Sequence, residues 1–188
     1  MKKQLTGLLA MFVLAGATSA LAQQNASKSN QNEEAPSRVA QIVALDECEP
    51  KSFNDMLGPD FCKNVALGFS TPILDLFNGA STGHPDPKWD FEPDTLKMKE
   101  GTDLTVVDQG GEPHTFTEVA HFGGGFIDQL NAPGEQTVPE CSGGFGNIAV
   151  ARTRILQGST IHVTDLSKGE HYFQCCIHPW MRVKVLVK

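Results

Sequence analysis

The sequence predicts an all-β protein built as a sandwich or barrel. Two observations carry that reading. From Trp89 onward, short alternating apolar and polar segments are separated by Gly, Pro and Asp, and no helical period lasts beyond two turns. The alternation is also in phase with a half-buried sheet: in Ser159 to Thr164, Ile161 and Val163 share one face while Thr160, His162 and Thr164 share the other.

Taken in order, the predicted strands are Thr95 to Lys99, Asp103 to Val107, His114 to Val119, Ile148 to Arg152, Ser159 to Thr164, Glu170 to Cys175 and Val183 to Val187. Between the third and the fourth lies a glycine-heavy insertion, residues 120–147, of a length that often serves function. In the sixth strand, period-2 alternation places Phe173 with Cys175 and Tyr172 with Gln174 and Cys176. The two adjacent cysteines must then point to opposite faces. Residues 46–88 break the β pattern and read as a partly helical N-terminal extension. In "STPILDLFNGAS", Thr71 is placed to cap, Pro72 to open and Gly79 to end a short helix. "DECEPKSFNDMLGPDFCK" reads as a turn or helical hairpin held by Cys48 and Cys62.

Residues 1–22 have the form of a secretory signal: Lys2 and Lys3, an apolar run over 8–15, and Ala20-Leu21-Ala22 as a cleavage site. A periplasmic or secreted mature chain follows as an expectation. Residues 23–45, starting in Gln, Asn, Ser and Glu, read as a disordered linker, and 89–188 as the folded domain. The formal charge of −7 becomes −9 once the two leader lysines are removed, which disfavours nucleic acid as a partner. No stretch approaches the roughly 20 apolar residues of a spanning helix, so no stable membrane insertion is expected. The chain has five cysteines, an odd count. In an oxidising compartment four of them, Cys48, Cys62, Cys141 and one of Cys175 and Cys176, can form two bridges, leaving one thiol with another occupation.

That occupation is suggested by "HYFQCCIHPWMRVKVLVK". Cys175, His178 and Met181 stand in a C-x2-H-x2-M spacing just past a strand, and His114 begins an earlier one in "GGEPHTF". A thiolate and two imidazoles in a plane, with a distant thioether, form the ligand set of a mononuclear blue-copper centre. Soft sulfur suits Cu(I) and imidazole tolerates Cu(II), so little has to move when an electron arrives. Other histidines fit blander roles: His84 in an exposed loop, His121 bordering the insertion, His162 solvated on its strand and His171 packed or hydrogen-bonded.

These motifs resemble the cupredoxins over about 100 residues, from "WDFEPDTLKMKEG" to "VKVLVK", and "CCIHPWMR" is similar to a ligand loop of the amicyanin and plastocyanin kind. The resemblance implies a Greek-key β-sandwich and one type 1 copper, Cu(I)/Cu(II), held by His114, Cys175, His178 and Met181. It also implies a monomeric, non-enzymatic carrier of single electrons between redox proteins such as a cytochrome or an oxidoreductase. The chain departs from the pattern in the long His114 to Cys175 interval and in the second cysteine, Cys176. Were Cys176 the ligand, the spacing to His178 would be a shorter C-x-H. With Cys175 as the ligand, Cys48–Cys62 and Cys141–Cys176 are the preferred bridges among three pairings. Two further readings stand beside electron transfer: copper binding and delivery, and a catalytic mononuclear copper site in which the insertion shapes a pocket and Met181 is unbound.

Overall fold

A computed structural model describes residues 40–63 and 70–188. The expected signal, 1–22, and most of the expected linker lie outside them. The architecture is two four-stranded sheets packed face to face. The first has the order β2-β1-β4-β8, made of Asp90–Glu92 (β2), Ala40–Leu45 (β1), Leu104–Asp108 (β4) and Thr160–Val163 (β8). The second has the order β3-β10-β9-β6, made of Thr95–Met98 (β3), Arg182–Val187 (β10), Gly169–Gln174 (β9) and Thr117–Val119 (β6). A two-stranded pair, His114–Thr115 (β5) with Arg154–Ile155 (β7), forms a separate small sheet. Alternation fills the core as the sequence requires. Ile42, Ala44, Phe91, Leu104 and Val106 come from one sheet and Phe173, Val183 and Val185 from the other, and Phe116 packs against Phe91 at 5.2 Å between ring centroids.

Three expectations about the sandwich are corrected. The linker does not run to 45, because Ala40–Leu45 is a strand lying between β2 and β4, parallel to β4 with Ile42 opposite Val106. The sandwich therefore starts at Ala40 rather than Trp89. Ile148–Arg152 is a helix (α3), capped by Asn147, whose side chain accepts from the Ala149 N–H at 3.0 Å. The alternation of Ile148 and Val150 suggested a strand, but only Val150 is buried and Ile148 is 65 % exposed. His114 to Val119 is also not one strand. It changes partner at Phe116, with His114 opposite Ile155 and Thr117 opposite Gln174.

The extension is helical where expected, over Pro50–Leu57 (α1) and Ile73–Ser81 (α2), and Cys48–Cys62 closes the first segment. Thr71 does not cap α2. Its hydroxyl donates to Asp86, and the Ile73 N–H is satisfied by Ser52 Oγ of α1 at 3.1 Å. Gly79 lies within α2 rather than ending it, and a Cβ there would stand 2.7 Å from the His84 carbonyl oxygen. No helix among the described residues is long and apolar enough to cross a membrane.

Candidate metal centre

β9 ends at Gln174 and β10 begins at Arg182, so the turn between them carries Cys175, His178 and Met181. Its shape is fixed by its own backbone. Cys175 N–H donates to the Met181 carbonyl at 3.0 Å, and Met181 N–H donates to the His178 carbonyl at 2.9 Å. His114 enters from β5, and all four residues are at most 1 % exposed.

The structure brings His114, Cys175 and His178 together as a cluster able to hold a metal ion. Cys175 Sγ is 3.8 Å from each imidazole Nδ1, and the two Nδ1 atoms are 3.3 Å apart. A triangle with those sides has a centre about 2.1 Å from every corner, the length of a bond from a first-row metal to imidazole nitrogen and slightly short of one to thiolate. Met181 is buried at the end of the same loop. Of the other histidines, His84 and His121 are exposed, and His171 is engaged by Glu118 and the Ser167 carbonyl.

The two cysteines diverge as the alternation demanded. Cys175 is free and faces the histidines, while Cys176 is bonded to Cys141. The insertion thereby braces the back of the ligand loop. Phe126 N–H donates to the Cys176 carbonyl at 2.9 Å, and a Cβ on Gly125 would lie 2.1 Å from that same oxygen, so only glycine allows the approach. Arg182 reaches across to Glu135 at 2.7 Å.

Sequence reasoning missed the carboxylates behind the ligands. His114 presents Nε2 to Asp46 Oδ2 at 2.9 Å, and His178 presents Nε2 to Glu112 Oε2 at 3.2 Å. Each carboxylate accepts the Nε2 proton and so turns Nδ1 toward the centre, where its lone pair becomes available to a metal once the proton shared with Cys175 is displaced. Asp46 also accepts the N–H groups of Cys48, Gly111 and Glu112. A Cβ on Gly110 would strike its carboxylate, which explains the glycine there. The available signal was "DQGGEPH", which places an acid two residues before the histidine.

Electrostatics favour a thiolate. Burial alone would raise the Cys175 thiol, but hydrogen bonds from His114 and His178 hold it well below the usual thiol range. Two N–H groups, from Thr115 and His178, also reach its sulfur at 3.4 Å. Burial would depress His114, yet its bonds to Asp46 and Cys175 leave it well above the ordinary value. Burial pushes Glu112 upward and takes Asp108, behind Asp46, up to about 7.

No protein-family model and no curated protein matches the chain. Solved structures do. One is described as a novel purple cupredoxin from Nitrosopumilus maritimus, 14 % identical, covering 79 % of this chain and 99 % of its own, with a TM-score of 0.37. Two are amicyanin mutants. A reduced one is 19 % identical over 55 % of this chain and 77 % of its own, with a TM-score of 0.34; one in the Cu(I) form is 20 % identical over 54 % and 76 %, with a TM-score of 0.35. The chain is similar to these cupredoxins. Superpositions this loose carry no argument about chemistry, which rests on the chain's own triangle of Nδ1, Nδ1 and Sγ.

Proposed function

We propose that the chain is an exported mononuclear copper protein that passes single electrons between redox proteins. The observation that carries this reading is the buried triangle of two imidazole nitrogens and one thiolate, whose centre lies at bonding distance from all three. Its donors fit copper: His114, Cys175 and His178 would hold the ion, and Met181 would add a weak thioether donor. Bound there, copper supplies a one-electron couple.

The residues of the chain prepare that role in three ways. Asp46 and Glu112 fix the tautomer and orientation of the imidazoles, so the donors are set before an electron arrives. The loop's backbone bonds and the Cys141–Cys176 bridge oppose rearrangement between oxidation states. Burial of every ligand excludes water and argues against copper delivery, which needs exchangeable ligands.

The test is the optical and electron-paramagnetic-resonance spectrum of the copper-loaded protein. One equivalent of Cu(II) should give intense blue absorption from sulfur-to-copper charge transfer, and Cys175→Ser should abolish it. A Cys175→Ser protein that kept the absorption would overturn the assignment.

A further inference from the structure

Beside the metal centre lies a cavity of about 260 Å³. Its walls are aromatic and aliphatic: Phe53 and Phe77 come from the two helices of the extension, and Phe126 and Ile127 from the insertion. His178 and Glu112 also line it. The two segments that lengthen this chain beyond a bare sandwich thus meet over the histidine-carboxylate pair.

Glu112 gives this cavity its chemistry. The residue is 2 % exposed, and Oε2 faces His178. Oε1 is buried with no hydrogen-bond partner among the described residues. Buried polar atoms are nearly always satisfied, so an unpartnered carboxylate oxygen in the lining of an otherwise apolar cavity points to a donor that the described residues do not supply. The occupant must also suit the walls. A small anion is repelled by Glu112, and an ammonium ion would lose its hydration among phenylalanines. The volume, below that of a drug-sized pocket, admits one ring with a short substituent.

We propose that this cavity binds a small neutral hydroxylated aromatic molecule of the phenol or hydroquinone class, with its ring against Phe53, Phe77 and Phe126 and its O–H donated to Glu112 Oε1. The assignment stands on the cavity and the carboxylate, and holds whether or not copper is the resident metal. It places a small-molecule site beside the centre.

The experiment is a calorimetric titration of the full chain, metal-free and copper-loaded, with phenol, anisole and benzoate. Phenol should bind saturably in both forms. Anisole, which has the ring but no donor, should bind at least about tenfold more weakly, since a hydrogen bond to a charged group is lost. Benzoate should not bind. Ile127→Trp, which fills the cavity, should lower phenol affinity at least about tenfold while keeping the melting temperature. Absence of saturable phenol binding, equal affinity for phenol and anisole in the unmodified protein, or undiminished phenol binding by a folded Ile127→Trp protein would each overturn the proposal.

Discussion

Replacing Asp46 with asparagine should loosen copper and the fold together, and the structure sets both magnitudes. Asp46 accepts four N–H groups: Cys48 and Gly111 on Oδ1 at 3.2 and 2.9 Å, and Glu112 and His114 Nε2 on Oδ2 at 3.0 and 2.9 Å. Asparagine keeps one oxygen for the first pair and turns an NH₂ group toward the second. Two buried donors then lose their acceptor, each at about 1–3 kcal/mol, so the metal-free protein should lose about 2–6 kcal/mol. His114 can recover its bond only by moving its proton to Nδ1, leaving Nε2 to accept from the new amide. That proton sits where the metal must bind, and the cost to copper affinity should be about 10–100-fold. Chemical denaturation of the metal-free protein reads the first effect, and competition against a chromophoric Cu(I) chelator reads the second. A D46N protein that is destabilised but holds copper as tightly as the unmodified one would refute the tautomer argument. One unchanged in both would refute the hydrogen-bond network itself.

Other outcomes follow from the same geometry. Met181→Gln should lower the reduction potential in voltammetry with copper still bound, because an oxygen donor favours Cu(II) over Cu(I) relative to thioether; an unchanged potential and spectrum would mean the thioether is not coordinated. Removing both Cys141 and Cys176 by alanine substitution opens a span of 35 residues, which should lower stability by about 4 kcal/mol in denaturant melts while the blue absorption survives. Asp108, pushed up to about 7 by burial, keeps a proton in the folded chain that the unfolded chain gives up near pH 4. Its contribution to stability is therefore present at acid pH and lost as pH rises from about 4 to about 7. Asp108→Asn should match the unmodified metal-free protein near pH 4 and exceed it near pH 8, by up to about 4 kcal/mol at about 1.4 kcal/mol per pH unit. A constant difference across that range would exclude Asp108 as the titrating group.

What the sequence disclosed depended on how local the signal was. Ile161 and Val163 against Thr160 and His162 mark a strand within six residues, and the structure places them so. Cys175, His178 and Met181 lie within seven residues, and His114 was identifiable because a metal of this chemistry needs another nitrogen donor. Ala40–Leu45 was missed because the polar tract before it dominated the composition, and "AQIVAL" becomes a strand only through partners 45 residues or more away, at Phe91 and Val106 among others. Asp46 was missed for the same reason: it stands 68 residues from His114 in the chain, and no period or spacing connects them. Ile148–Arg152 failed differently. Its alternation was real, but one buried valine and an asparagine cap suit a single helical turn as well.

The missed strand also alters how electrons would enter and leave. Because β1 belongs to the sandwich, the chain after it carries Asp46 behind His114 and then α1, whose Phe53 stacks on Trp89 at 5.8 Å between ring centroids. Trp89 in turn lies edge-on to His178 at 4.8 Å. His178 is thereby 1 % exposed, so in the proposed role a redox partner would not touch this side chain directly. Trp180 offers the alternative. Its ring centroid is 5.4 Å from that of His178, its indole N–H is anchored on the Trp89 carbonyl at 3.1 Å, and it is half-buried where His178 is covered. Contact with a partner at the Trp180 face would couple to the centre through one aromatic ring. The segment that hides the ligand from solvent therefore also holds in place the side chain that reaches past it.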